Sequence, residues 1–271
     1  MLVDAHAHLD RYGERVTQAI QQINEQRILT ISVSMNIDSY LRARKIAELS
    51  AYIKPTFGIH PWEAPQYATI LDQLDPYLKG SPLIGEIGLD HYFVKDKGLF
   101  PSQWAVFEYQ CDWAARLGKI INLHTKGAEP EVLEIITRKN IVSSIVHWYS
   151  GPTNLITSYI DAGSYFTIGV EILSSRRIEK IADLLPLDRI LLETDNPGGY
   201  EWLTGSTGMP IVIREVLGKL AEVKQTDTQT LENQICGNWQ RLTQWNSPDS
   251  VDTLICSRDP FQGGVWILPC S

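Results

Sequence analysis

The sequence is short of cysteine, of long apolar runs and of positive charge. Its four cysteines, Cys111, Cys236, Cys256 and Cys270, form no C-x-x-C pair. Neither a zinc knuckle nor a disulfide framework is indicated, and free thiols in a reducing compartment are expected. At the N-terminus no basic stretch leads into an apolar run, because Asp4 and His6 interrupt it at once. A secretion signal and a membrane span are not expected, and the cytoplasm is the default location. Acidic residues outnumber basic ones by 32 to 24, for a formal charge of −8. That balance disfavours a protein that coats DNA through a basic face. It leaves room for a nuclease, whose bound divalent cations supply positive charge locally. No internal repeat or low-complexity tract stands out.

What is present is ordinary globular chain: 271 residues, 44% hydrophobic and 21% charged. That length suits one (β/α)8 barrel or two small domains. Short β-rich runs recur at Leu2–Ala5, Ile28–Ser34, Thr56–Ile59, Leu83–Ile87, Ile120–Leu123, Ser144–Val146, Tyr165–Val170 and Ile190–Glu193. Their starts lie roughly 20 to 40 residues apart, about one β-α unit. Helical periodicity fills the gaps. Between Gln103 and Leu117, residues Trp104, Phe107, Cys111, Ala114 and Ala115 share one face, and Gly118 stands at the C-cap position. Glu131–Arg138 has similar spacing, and a last helix is expected over Asp227–Thr243 with Thr226 as its N-cap. Strands alternating with helices imply a parallel sheet covered by helices, and eight units favour a closed TIM barrel over an open sheet. The barrel is expected to occupy residues 1–245. Residues 246–271 form a tail of different texture, rich in Ser, Asp, Pro and Gly, with Phe261, Val265, Trp266 and Ile267 near its end. The tail either packs on the barrel or mediates a contact with a partner protein.

The chemistry-bearing residues line up on this scheme. His6 and His8 are two apart at the end of the first run, so both imidazoles point to the same side. His60, His124 and His147 each follow a predicted strand, so five of the six histidines sit at strand ends. Glu86 lies within the fourth run and Asp195 follows the eighth. C-terminal strand ends of a barrel converge on one mouth, where barrel active sites lie. Independent placement does not readily produce this alignment. Imidazoles and carboxylates without a thiolate suit Zn²⁺, Mn²⁺ or Mg²⁺ in a catalytic site. His6, His8, Glu86, His124, His147 and Asp195 are more ligands than one tetrahedral ion takes, so two divalent ions are expected, with Glu86 as the natural bridge. Such a pair activates water and neutralises charge on a phosphoryl or acyl oxygen, and Asp195 can also accept the proton of the attacking water.

With these residues in place the chain resembles the TatD-type metal-dependent deoxyribonucleases of the amidohydrolase superfamily. The matching stretches are D-A-H-A-H-L-D at Asp4–Asp10, G-I-H-P at Gly58–Pro61, G-E-I-G-L-D at Gly85–Asp90, N-L-H-T-K at Asn122–Lys126, H-W-Y-S-G at His147–Gly151 and L-L-E-T-D-N-P at Leu191–Pro197. The resemblance implies a (β/α)8 barrel with two or three metal ions. It assigns His6, His8 and Asp195 to the first ion, Glu86 to the bridge, and His124 and His147 to the second. Asp195 orients the nucleophilic water, and His60 and Lys126 contact substrate phosphate. The chain also resembles the members found in Qat-type anti-phage operons. It departs from the family pattern in the segment Asn196–Trp202 after Asp195, which borders the site, and in the tail.

Other residues carry two readings. Trp62, Trp148 and Tyr149 either stack on bases or pack the barrel mouth. Glu193, two before Asp195, points the same way and either orients a ligand or forms a salt bridge. Glu171 has no assigned role, His91 reads as a surface histidine, and Arg176-Arg177 as a solvated helix start. The leading function is a DNase with DNA as partner, cutting from a 3′ end or as a single strand. The alternatives are a metal hydrolase of a small-molecule ester, amide, lactone or aminoacyl-tRNA bond, and a non-catalytic partner in an assembly.

Overall fold

The computed structural model describes residues 1–244. The expected boundary at residue 245 and the role of the tail lie outside these residues. Eight strands alternate with helices: β1 (Val3–Ala7), β2 (Leu29–Val33), β3 (Ile53–Thr56), β4 (Ile84–Gly88), β5 (Ile121–His124), β6 (Ser144–Val146), β7 (Ser164–Ile168) and β8 (Ile190–Leu192). They form one parallel sheet in the order β3-β2-β1-β8-β7-β6-β5-β4. The two ends of that order meet. Phe57, just past β3, bridges to Ile84 of β4, and the Gly85 N–H donates to the Phe57 carbonyl at 2.9 Å. The sheet therefore closes into the expected barrel.

Seven strands fall where the hydrophobic runs place them. The third does not: it was expected over Thr56–Ile59 and spans Ile53–Thr56. Pro55 reads as a strand breaker in sequence, yet it pairs with Ser32 of β2. A proline is tolerated there because the seam with β4 is made by Phe57 rather than by a full ladder on both sides. Every residue of the other seven strands is buried, as a sheet covered on both faces requires.

The helices seal that sheet. Phe100–Leu117 buries Val106, Phe107, Cys111, Trp113 and Ala114, and ends at Gly118 with φ 61°, the left-handed conformation that a glycine C-cap supplies. The final helix runs Thr228–Gln244. Its cap is Asp227, whose carboxylate accepts from the Thr230 N–H at 2.8 Å, and not Thr226. The buried Asn238 side chain donates to the carbonyls of Leu187 and Ile190, both at 2.7 Å, and fixes this helix to β8. Cys111 is a buried free thiol as expected. Cys236 is not free: it is disulfide-bonded, a link between distant positions that spacing could not reveal. No helix among the described residues is long and apolar enough to cross a membrane.

The ladder is irregular in two places, between Asp4 and Ala7 of β1 and between Ile84 and Ile87 of β4. These bracket His6 and Glu86. Such breaks re-aim side chains at the cost of regular pairing. The backbone is tight beside the second break. A Cβ on Gly88, whose φ is 148°, would stand 1.9 Å from the His124 carbonyl oxygen. Gly88→Ala is expected to destabilise the fold by roughly 3 kcal/mol. Urea unfolding of the two proteins measures it, and equal midpoints would show that the β4–β5 seam tolerates a side chain.

Candidate metal centre

Each strand end delivers one part of the site. His6 lies within β1, with His8 one residue past it. Glu86 is central in β4, His124 ends β5, His147 follows β6 and Asp195 follows β8. His60 arrives from the loop after β3. The histidines and Glu86 are buried, whereas the Asp195 side chain keeps 22% of its surface at the mouth. Glu86 is the hub. Its Oε2 lies 3.5 Å from Nε2 of both His6 and His8. Its Oε1 lies 2.9 Å from His124 Nδ1, 3.2 Å from His147 Nε2 and 3.5 Å from His60 Nε2. Asp195 Oδ1 lies 3.2 Å from His8 Nε2 and 3.6 Å from His6 Nε2.

Three groups of donor atoms are close enough to share an ion: His6-His8-Asp195, His6-Glu86-His147 and His60-Glu86-His124. Hydrogen bonds on the far side of each ring decide which nitrogens are bare. Asn122 donates through Nδ2 to the Ala5 carbonyl, so its Oδ1 faces His6 Nδ1 at 2.9 Å and must accept. His6 Nδ1 then carries the hydrogen, and Nε2 presents a lone pair to the centre. That Nε2 is buried and has no hydrogen-bond partner, which is the state of an atom waiting for a cation. His147 Nδ1 donates to Glu193 Oε2 at 3.3 Å, while Glu193 Oε1 accepts from the Trp148 N–H at 2.9 Å. His124 Nε2 donates to Asp90 Oδ2 at 3.0 Å, leaving Nδ1 for the centre. His60 is the exception. The Trp62 backbone N–H donates to its Nδ1 at 3.2 Å, so in the neutral ring Nε2 bears the hydrogen. That ring is a donor toward the centre rather than a bare ligand.

The charges agree. Burial alone would neutralise Glu86, but the imidazoles gathered around it outweigh it and hold its carboxyl well below the ordinary range. Burial likewise opposes ionisation of Asp195, and the hydrogen bond and charge of His8 hold it near about 2. Burial also disfavours charge on His147, yet Glu193 and Glu86 push it up to about 10. Burial dominates at His60 and lowers it to about 4, so it is neutral. Ionised carboxylates gathered on imidazole nitrogens fit a divalent cation.

Lys126 is near the mouth but outside the donor groups. Its Nζ donates to the Trp148 carbonyl and to Ser150 Oγ, both at 2.8 Å. Asp90 and Asn122 were not singled out from sequence, although both orient ligands. Asn122 was findable, since it lies two before His124 on one strand and must share its side. Asp90 sits in a loop, where no periodicity applies. Glu193 bonds His147 and points as expected from Asp195. Glu171 accepts from Trp148 Nε1 at 2.5 Å. Tyr149 is core, its ring 5.2 Å from that of Phe166. His91 is partly exposed, stacks on Phe100 at 3.9 Å and takes no part in the centre. Arg176 opens a helix capped by Ser175, and both Arg176 and Arg177 are exposed.

The model of the TatD related DNase family matches residues 3–244. The chain belongs to the TatD family. It is 26% identical over 254 residues to an uncharacterized metal-dependent hydrolase of Haemophilus influenzae, covering 89% of this chain and 99% of that protein. A mouse relative, TATDN3, named provisionally as a deoxyribonuclease, is 25% identical over 260 residues, covering 89% and 87%. Among solved structures, the TatD homologue YjjV of Escherichia coli superposes with a TM-score of 0.75 at 20% identity, over 89% of this chain and 97% of that one. A TatD family hydrolase of Entamoeba histolytica gives 0.76 at 16% identity, over 89% and 97%. This TatD protein is therefore a metal-dependent hydrolase on a TIM barrel.

The orienting role of Glu193 can be tested directly. Glu193→Gln is expected to weaken divalent-ion binding roughly 10- to 100-fold. Competition against a fluorescent chelator measures it, and an unchanged affinity would remove Glu193 from the centre.

Proposed function

We propose that this TatD protein is a deoxyribonuclease, an exonuclease that hydrolyses DNA phosphodiester bonds with two divalent ions, Mg²⁺, Mn²⁺ or Zn²⁺. The observation that carries this reading is the buried Glu86 carboxylate shared by donor groups on both of its oxygens. In this assignment His6, His8 and Asp195 hold one ion, His124 and His147 the other, and Glu86 lies between them. Bound ions would supply a nucleophilic water at neutral pH and neutralise charge on the phosphoryl oxygens.

The remaining work falls to the chain. Asp195, the most exposed ligand, accepts the proton of the attacking water at its carboxylate. His60, whose Nε2 lies 3.3 Å from His124 Nδ1 beside the donor atoms, contacts a substrate oxygen in this assignment. Lys126 has spent two N–H groups on Trp148 and Ser150, and its third faces phosphate. Asn122, Asp90 and Glu193 hold the imidazoles in the ligating tautomer. DNA is the partner in this reading, with the cytoplasm as location.

Cleavage of a 5′-labelled single-stranded oligonucleotide with each of the three metals tests the proposal. Asp195→Asn is expected to lower kcat/KM by roughly 10²- to 10⁴-fold, and Glu86→Ala to abolish both activity and ion binding. The product ladder reports polarity. Metal-loaded protein that turns over an aryl ester or lactone but leaves every oligonucleotide intact would reassign it to small-molecule or aminoacyl-ester hydrolysis.

A further inference from the structure

Among the described residues the exposed aromatic side chains are Trp62, Tyr92, Phe93 and Trp202. All lie on segments that leave the C-terminal ends of strands: Trp62 after β3, Tyr92 and Phe93 after β4, and Trp202 in the short helix Gly198–Thr204 after β8. Each of the other tryptophans, tyrosines and phenylalanines among the described residues is at least half-buried. Chance scatter of surface aromatics would not confine them to one end of a barrel.

They form two groups on opposite sides of the donor atoms. Trp62 stands edge-on to His60 at 4.8 Å, and Phe93 edge-on to Trp62 at 6.1 Å. Trp62 is held in place because its Nε1 donates to Asp90 Oδ2 at 2.7 Å, yet 46% of its surface is open. On the far side Trp148 stands 6.4 Å from His147, and Trp202 lies edge-on to Trp148 at 5.9 Å, with 67% of its surface open. Trp148 is fixed through Nε1 to Glu171. Each group also carries a lysine: Lys95 Nζ is 4.9 Å from the Tyr92 ring and Lys126 Nζ 5.5 Å from the Trp148 ring. In a chain of net charge −8, cations placed beside aromatic faces match a ligand with alternating rings and phosphates. An apolar peptide would have no use for them.

We infer that these two groups are base-stacking platforms, on which nucleobases on either side of the scissile phosphate lie. The inference rests on the nuclease reading. Stacking needs the face of a base to leave its neighbour, which a single strand allows and an intact duplex resists.

The test uses the full-length, metal-loaded protein and single-stranded oligonucleotides in which one nucleotide at a time is replaced by an abasic tetrahydrofuran residue. In the parent, an abasic residue next to the cut is expected to lower kcat/KM about tenfold, the size of one lost stacking contact. In Trp202→Ala the penalty at one of those positions is expected to fall below about twofold, and Trp202→Phe restores it. Equal penalties in parent and Trp202→Ala, with DNA still cut, overturn the platform and leave the nuclease standing. If the parent cuts no DNA, anisotropy of the same labelled oligonucleotides decides. Binding with the same abasic pattern supports the platform without the nuclease; no binding overturns both. A change in oligomeric state in Trp202→Ala, with the abasic pattern untouched, overturns the platform and assigns the face to a second copy.

Discussion

An ionised carboxylate at the centre of a barrel is the constraint on which this molecule is organised. Left alone in a dry interior, Glu86 would take up a proton. It stays charged because positive charge closes around both of its oxygens, as protonated imidazole or as a cation held in its place. Three of those imidazoles are pinned from outside, His6 by Asn122, His124 by Asp90 and His147 by Glu193, whereas His8 Nδ1 has no hydrogen-bond partner. The pins are held in turn by Ala5, Trp62 and Trp148. The site is thus a set of nested hydrogen bonds that runs from one charged atom out to the loops. Local backbone irregularity at His6 and Glu86 follows from aiming these side chains inward.

Much of this was legible in the sequence because barrels convert distance along the chain into proximity at one mouth. A histidine at a strand end is ambiguous; five of them with two carboxylates are not. The strands themselves could be read because residues buried on both faces leave continuous apolar runs. The failures have physical causes. The third strand was misplaced since Pro55 and Lys54 mask a strand whose second edge is barely used. The last helix cap was placed one residue early, with Thr226 and Asp227 both capable of the role. Asp90 went unrecognised because its function depends on a loop geometry that no periodicity encodes. The tautomer of His60 is set by a backbone N–H, which has no signature in sequence at all.

The two halves of the site differ in how much freedom they leave to change. Donor groups on the strands are locked by packing and by one another. Of the exposed aromatics, Trp62 meets His60 edge-on, while Phe93 and Trp202 reach the centre only through Trp62 and Trp148. Substitutions of Phe93 or Trp202 alter what is recognised without disturbing what is held, whereas Trp62 is tied to the centre through Asp90.

One fastening has a consequence in time. Asp4 of β1 accepts hydrogen bonds from the Thr194 N–H at 3.0 Å and from its hydroxyl at 2.7 Å, across 190 positions of sequence. Burial pushes this carboxyl up to about 7, against the pull of the Thr194 bonds. His6 and His8 therefore lack these neighbours until the strand before Asp195, some 190 positions later in the chain, has emerged. At roughly 5 to 20 residues per second, that delay lasts on the order of ten seconds or more. Throughout it the nascent chain carries its histidines on an unpaired strand edge, open to any ion or protein that meets them first.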